Sequence, residues 1–195
     1  MATRKPATRK APESICVLRV DLAHLKPAIW RRLEVPASIT LAQLHRVIQM
    51  AFDWDDSHMH GYEIGGRRYG QTMPDPFGME MDDLDERKYR LSDVASAGSR
   101  FIYTYDFGDD WHHLVKVEKI LAPTPGVRYP RCTAGKNAAP PEDCGGPWGY
   151  SEMMQALADP DHPERDELLE WLDEDFDPTD FDRDELNADL GVLKL

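Results

Sequence analysis

Six residues in the middle of the chain could carry out acid–base or metal chemistry. They are His58, His60, Asp106, Asp109, Asp110 and His112. Imidazole and carboxylate groups together bind zinc and similar divalent ions, and clustered carboxylates bind Mg²⁺ for phosphoryl transfer. This pattern is compatible with a metal-dependent hydrolase or nuclease. Its candidate metal ligands are His58, His60, Asp106 and His112, and its candidate catalytic residues are Asp106, Asp109, Asp110 and His112.

Each of these signals also has an ordinary structural interpretation, which we favour. An H-x-H pair often arises by chance, and aspartates are common in turns because their side chains accept hydrogen bonds from nearby backbone. The spacing alone does not bring the six side chains together. We therefore expect no cofactor and no bound metal.

The cysteines allow two interpretations. Cys132 and Cys144 are separated by eleven residues and lack the CxxC spacing of a zinc ribbon. We favour reduced, buried thiols that hold a loop. The alternative is a cysteine nucleophile with an anion hole made by the backbone of Gly145 and Gly146. The chain has no phosphate-binding loop, dinucleotide fingerprint, GxSxG or HExxH motif, so we lean towards a non-enzymatic role.

The stretch from Phe101 to Leu121 organises the rest of the chain. Its alternating residues predict two strands joined by a tight turn, with the large aromatic side chains on one face. A three-residue loop, 108–110, keeps that face intact. The predicted cross-strand pairs are Phe107 with Trp111, Tyr105 with His113, and Tyr103 with Val115. This register also places Asp106 opposite His112 on the other face.

The remaining elements follow from the same kinds of pattern. Strands are predicted over 15–22, 28–35, 58–64 and 67–70, and short helices over 151–157, after Pro163 and over 183–190. Thr40 and Gln43 form a capping box for a helix over 41–52, on which His45 and Arg46 should face solvent. Long loops are predicted over 71–89 and 122–149. The order of elements indicates an α+β fold, an antiparallel sheet of hairpins with helices packed on one face.

The net charge of −13 is unevenly distributed along the chain. Residues 142–195 contain 18 acidic and three basic groups, whereas residues 1–14 contain four basic groups and one acidic. An acidic body argues against a broad phosphate-binding surface. We predict a single domain over 14–195 preceded by a disordered basic tail, 1–13, through which weak nucleic-acid binding is an alternative function.

The distribution of apolar residues along the sequence bears on the cellular location of the protein. No apolar run approaches the roughly 18 residues needed to span a bilayer. The basic N-terminal residues are not followed by an apolar segment, so no secretory signal is expected. We therefore predict a cytoplasmic protein without membrane contacts.

Four blocks of sequence resemble one family. They are residues 25–70 (LKPAIW…RRYG), 103–113 (YTYDFGDDWHH), 129–150 (YPRCTAGKNAAPPEDCGGPWGY) and 175–187 (DFDPTDFDRDELN). Together they resemble the plasmid pRiA4b Orf-3-like family from about Ile15 to Leu190. The resemblance implies an α+β domain carried as a passenger on plasmids, chromosomes and insertion sequences, with no catalytic residues or cofactor. Some insertion-sequence members carry a resolvase-like label, but the nucleophilic serine and helix-turn-helix of a serine recombinase are missing here.

These observations favour a protein-interaction domain, accessory to mobile elements, that binds an unknown protein partner. Aromatic residues often contribute most of the binding energy of an interface. The candidate partner-binding residues are Trp30, Trp54, Trp111 and Trp148, and we expect at least two of them to be ordinary core residues.

The cysteine interpretation predicts three free thiols, with Cys16 buried in the first strand. Titration of the denatured, unreduced protein should count all three. A count of one would indicate a bridge between Cys132 and Cys144.

Overall fold

A computed structural model describes residues 13–72, 83–172 and 176–195. The strands are β1 (Ile15–Leu22), β2 (Trp30–Pro36), β3 (His60–Ile64), β4 (Arg67–Gly70), β5 (Leu84–Asp85), β6 (Arg100–Tyr105), β7 (Trp111–Leu121) and β8 (Arg131–Lys136). The helices are α1 (Leu41–Ala51), α2 (Leu91–Val94), α3 (Gly146–Ala158), α4 (Arg165–Trp171) and α5 (Arg183–Val192). The strands form one sheet in the order β5-β4-β3-β6-β7-β1-β2-β8, antiparallel except between β4 and β5. The predicted single α+β domain is confirmed, and the predicted tail lies outside the described residues apart from Glu13.

The core lies between one face of the sheet and helix α1. The predicted strand β1 buries Cys16, as expected, together with Leu18, Val20 and Leu22. Thr40 and Gln43 form the predicted capping box at the start of α1. The Tyr62 hydroxyl of β3 donates to the Leu41 carbonyl at 2.9 Å and ties α1 to the sheet. Within the described part of the chain, no helix combines the length and apolar character needed to cross a bilayer.

The predicted register of the central hairpin is wrong by two residues. The observed cross-strand pairs are Tyr105 with Trp111, Tyr103 with His113, Thr104 with His112, and Phe101 with Val115. Because the shift is even, the aromatic residues of β6 and β7 still share the buried face. Phe107 leaves that face and is 50% exposed. The predicted Asp106–His112 pair does not form.

The reason for the shift is a five-residue turn, 106–110, built by its aspartates. Asp106 and Asp110 adopt left-handed backbone conformations with φ of 53° and 59°. The Asp110 N–H donates to the Asp106 carbonyl at 2.7 Å, and the Asp106 side chain accepts from the Gly108 N–H at 2.8 Å. Aspartate tolerates left-handed backbone conformations, and its side chain accepts hydrogen bonds from backbone N–H groups of the same turn. The strands therefore end earlier than the alternation of residues alone suggests.

Both predicted long loops contain regular structure. In the segment 71–89, residues 73–82 lie outside the described part, but residues 84–88 form β5 and a 3₁₀ turn (Glu86–Lys88). In the segment 122–149, β8 pairs with β2 as the sheet's last strand. The Asn187 side chain of α5 accepts from the Cys132 N–H at 2.7 Å and donates to the Cys132 carbonyl at 2.9 Å, which caps this edge strand. All three cysteines are unpaired.

Arg31 of β2 is a buried cation held by backbone oxygens. Its guanidinium donates to the carbonyls of Trp30, Ala51, Lys136 and Asn137 at 2.9–3.2 Å. The rings of Phe181 and Phe52 lie 4.1 and 5.2 Å from the guanidinium carbon. Burial lowers the pKa of Arg31 to about 10, so the side chain is still charged at neutral pH. This one side chain connects β2, the end of α1 and the end of β8.

We predict that Arg31→Met lowers the free energy of unfolding by about 3 kcal/mol, because several buried carbonyls lose their donor. Arg32→Met is the matched control. Arg32 lies on the open face of the same strand in a partly exposed ion pair with Glu118, and its loss should cost less than about 1 kcal/mol. Urea denaturation of both variants measures the difference. Equal losses would contradict the role given to Arg31.

Candidate functional site

The four candidate metal ligands do not meet in the described structure. His60 lies inside the core, whereas His58 precedes β3 and is partly exposed. Asp106 Oδ2 lies 3.6 Å from His58 Nδ1, and His112 Nε2 lies 3.0 Å from Asp110 Oδ1. His58 and His60 would share a face only if both belonged to the strand, and β3 begins at His60. The set is therefore divided among three places.

His60 instead stacks on His45, a residue that we expected to face solvent. Both side chains are buried, and their rings are parallel within 4° with centroids 3.5 Å apart. The expectation for His45 was wrong. The apolar residues of α1 mark only the centre of the helix face that packs on the sheet, and they do not show that a neighbouring polar residue is buried as well. The polar groups that complete its surroundings lie elsewhere in the sequence.

Every polar atom of the His45 ring has a partner. Its Nε2 donates to Asp56 Oδ1 at 2.7 Å, and its Nδ1 accepts from the Tyr103 hydroxyl at 2.7 Å. Gln49 donates to the same hydroxyl at 3.0 Å and accepts from the Asp56 N–H at 3.1 Å. These hydrogen bonds form a closed ring, which is consistent with a neutral His45. They join α1, β6 and the loop that follows α1.

His60 has a different environment. Its Nε2 donates to Glu86 Oε2 at 2.8 Å, and both side chains are almost fully buried. Its Nδ1 has no hydrogen-bond partner among the described residues. Glu86 belongs to the segment that we predicted to be a surface loop, so this buried pair anchors that segment to the core.

The ligand atoms of His45, His60 and Asp56 lie within 4.8 Å of one another, a distance at which they could share a metal ion. The ring orientation is unfavourable for that role. Imidazole lone pairs lie in the ring plane, and the two parallel planes are stacked. One cation could lie in both planes only if one ring turned. The arrangement is therefore better described as a structural polar network.

Tyr105 and Glu142 join two loops above the core. The Tyr105 hydroxyl donates to Glu142 Oε1 at 2.6 Å and accepts from the Ser57 N–H at 2.9 Å. Ser57 Oγ donates to Glu142 Oε2 at 3.1 Å, and Trp54 Nε1 donates to the Pro140 carbonyl at 2.9 Å. Burial, reinforced by Glu142, raises the pKa of Tyr105 to about 12. These bonds order the proline-rich segment before α3.

The aspartates of the hairpin turn also have structural partners. Asp109 Oδ2 accepts from the Gly145 N–H at 3.2 Å. Gly146, at φ +68°, packs so tightly on the Asp109 carbonyl that a Cβ atom would collide with it. Burial, together with the charge of Asp109, raises the pKa of Cys144 to about 12. A Cys144 nucleophile is disfavoured, because the thiol stays protonated and Asp109 already uses the Gly145 donor.

The four candidate tryptophans lie in different environments. Trp54 and Trp111 are core residues, and Trp30 lies on the open sheet face between the guanidinium groups of Arg19 and Arg32. Trp148 is 73% exposed. Sequence reasoning missed Trp171, which is 50% exposed on α4. Its position beside the leucines of that helix was the available signal.

A groove of about 670 Å³ lies between α3 and α4. Its apolar lining includes Met153, Ala156, Leu168 and Trp171. Its acidic lining includes Asp143, Glu152, Asp159 and Glu164. The groove begins beside Cys144, where the hairpin turn holds the start of α3. Met153 and Ala156 are almost fully buried, so Trp171 supplies most of the exposed apolar surface beside the acidic groups.

We predict that the protein loses stability as pH falls below about 6.5, the ordinary pKa of histidine. Burial lowers the pKa of His45 to about 4 and that of His113 to about 3. Between pH 6.5 and these values, the unfolded chain therefore binds more protons than the folded protein. Each of the two histidines then lowers the free energy of unfolding by up to about 1.4 kcal/mol for each unit by which the pH falls. His113→Gln should reduce the slope of unfolding free energy against pH. The wild-type protein and the variant contain the same carboxyl groups, so a difference in slope is due to His113. Equal slopes of unfolding free energy against pH in the two proteins would contradict the prediction.

Comparisons with known proteins agree with the architecture. The uncharacterized protein y4hQ of Sinorhizobium fredii is 41% identical over 185 residues, which are 92% of this chain and 92% of that protein. A crystal structure of a protein of unknown function from Methanosarcina mazei Go1 has a TM-score of 0.83 and 40% identity, covering 90% of this chain and 98% of that chain. The model of the plasmid pRiA4b ORF-3-like protein family matches residues 14–185. The chain therefore belongs to the plasmid pRiA4b ORF-3-like family.

Proposed function

We propose that this protein is a non-enzymatic interaction domain that binds a protein partner through the groove between α3 and α4. The observation that carries the proposal is the exposure of α4. None of its seven residues is buried, although the helix carries two leucines and a tryptophan. Leu169 and Trp171 are 46% and 50% exposed, and Trp171 lines the groove.

A seven-residue helix has little stability of its own, because isolated helices shorter than about 12 residues are marginal in water. Most helices in proteins are stabilised by burying an apolar face. In α4 only the half-buried Leu168 and the flanking Leu172 contact the core cluster. A partner in the groove that covers Trp171 would supply part of the missing burial.

The alternative of a metal-dependent hydrolase or nuclease has weaker support. The candidate carboxylates are occupied: Asp106 caps the turn, Asp109 binds the Gly145 N–H, and Asp110 lies beside His112. An active site needs reactive groups that converge on accessible space. The groove between α3 and α4 has Trp171 and Leu168 in its lining and none of these residues.

Two further parts of the proposal rest on other grounds. An accessory role for mobile elements is supported by the family description, which names a plasmid reading frame. A cytoplasmic location is supported by the sequence patterns. The alternative of weak nucleic-acid binding through residues 1–13 remains a prediction for a segment outside the described structure.

Site-specific photo-crosslinking tests the interaction. Trp171 is replaced by p-benzoylphenylalanine in the native host, and Leu114, similarly exposed on the open sheet face, is replaced as the control. We expect one discrete adduct at position 171 that is absent at position 114. The same protein captured at both positions, or capture only of a second copy of this chain, would overturn the proposed partner site.

The captured protein then provides a quantitative check. Trp171→Ala should weaken its binding to the purified domain roughly tenfold, because contacts of aromatic anchors dominate interfaces. Leu114→Ala should leave the dissociation constant unchanged. Titration calorimetry measures both, and an unchanged affinity in Trp171→Ala would remove the support for this surface.

A further inference from the structure

We propose that the partner segment bound by the α3–α4 groove is an amphipathic helix rich in lysine and arginine. This inference rests on the proposed function, because it names the chemistry of the partner at the same surface. Two independent properties of the groove support it. One is the shape and lining of its floor, and the other is the charge of its rim.

The floor matches the apolar face of a helix. Met153, Ala156 and Leu168 line the groove, and Trp171 lies at its edge. A space of about 670 Å³ accommodates a few large side chains rather than an extended chain with many contacts. Helices bind such grooves through anchors at positions i, i+3, i+4 and i+7. The half-exposed ring of Trp171 offers the broadest apolar contact to such anchors.

The acidic residues that line the groove favour a basic partner. The lining carboxylates belong to Asp143, Glu152, Asp159 and Glu164. Helix α4 carries three further acidic residues, Asp166, Glu167 and Glu170. These groups lie within the segment 142–195, which contains 18 acidic and three basic groups. Arg165, the basic residue of α4, donates to the Leu157 carbonyl near the end of α3.

This charge distribution has a direct consequence for selectivity. A lysine- or arginine-rich helix gains attraction and faster association, whereas an acidic helix is repelled. Attraction across a solvent-exposed rim weakens as salt rises, because the screening length is about 8 Å at physiological ionic strength. Binding should therefore combine a salt-independent apolar part with a salt-dependent charged part.

The chain's own basic tail is a less suitable occupant. It precedes Ile15, which pairs with Pro36 and Leu121 at one end of β1. The groove adjoins the hairpin turn, near the other end of β1, where Leu22 pairs with His113. A tail that reached the groove would have to cross the length of the sheet. A separate partner avoids this constraint.

The test uses the full-length protein and three synthetic peptides of ~18 residues, long enough for about five helical turns. The first has leucines at i, i+3, i+4 and i+7 with lysines elsewhere. The second contains the same residues in an order that removes the apolar stripe. The third has glutamate in place of lysine. Calorimetry gives the dissociation constants, and circular dichroism reports the helicity gained on binding.

We expect the first peptide to bind as a helix and the other two to bind at least about tenfold more weakly. Trp171→Ala should weaken the first peptide roughly tenfold. The combined change Glu152→Gln, Asp159→Asn and Glu164→Gln should weaken it by a similar factor at low salt and remove most of its salt dependence. The matched control, Glu185→Gln with Asp189→Asn on exposed positions of α5, should leave binding unchanged.

Several outcomes would overturn the inference. Equal binding of the first two peptides, or binding insensitive to the groove variants, would indicate general attraction to an acidic protein. Tighter peptide binding after removal of residues 1–12 would identify the tail as the occupant. If crosslinking at position 171 captures a partner through an acidic or uncharged segment, the helix inference is wrong while the proposed function stands. If that experiment captures no partner, the proposed function itself fails.

Discussion

The buried guanidinium of Arg31 is the constraint on which the rest of the structure depends. Among the residues that the structure describes, no carboxylate lies within hydrogen-bonding distance of it; backbone carbonyls and two aromatic rings surround it instead. A buried cation is tolerated only where such partners are all in place. The end of α1, the end of β8 and Phe181 must therefore assemble around β2 together. Gly135 of β8 is part of this assembly, because a Cβ atom there would collide with the Phe181 ring.

A second buried polar network, formed around the stacked His45 and His60, serves the other half of the sheet. It links α1 to β3 and β6, and through Glu86 it holds the segment before α2. The network resembles an active site in composition, since it contains histidines, carboxylates and a tyrosine. Its side chains, however, hydrogen-bond mainly to one another, and Tyr103 is fully buried. Buried networks of this kind specify one arrangement of a core.

The proposed binding surface lies outside these two networks and is positioned by other residues of the core and the hairpin turn. Trp54 and Tyr105 extend from the core to Pro140 and Glu142, and Asp109 holds the Gly145 N–H at the start of α3. The groove is therefore attached to a rigid interior at one end, while α4 at its other side has little burial of its own. Rigid attachment with an exposed edge is suited to binding a partner without rearranging the core.

The local patterns of the sequence determined most of the elements and the fold class. The alternation in β1, the Thr40–Gln43 capping box and the aromatic face of β6 and β7 depend on neighbouring residues, and all three were predicted correctly. The tertiary structure decided what depends on distant residues. The hairpin register followed from the backbone of Asp106 and Asp110, and β8 was missed because its partner β2 lies about a hundred residues away. His45 is buried because Tyr103 and Asp56 complete its hydrogen bonds. The groove likewise exists only because α3 and α4 fold side by side, so neither its apolar floor nor its acidic rim could be recognised from residue order alone.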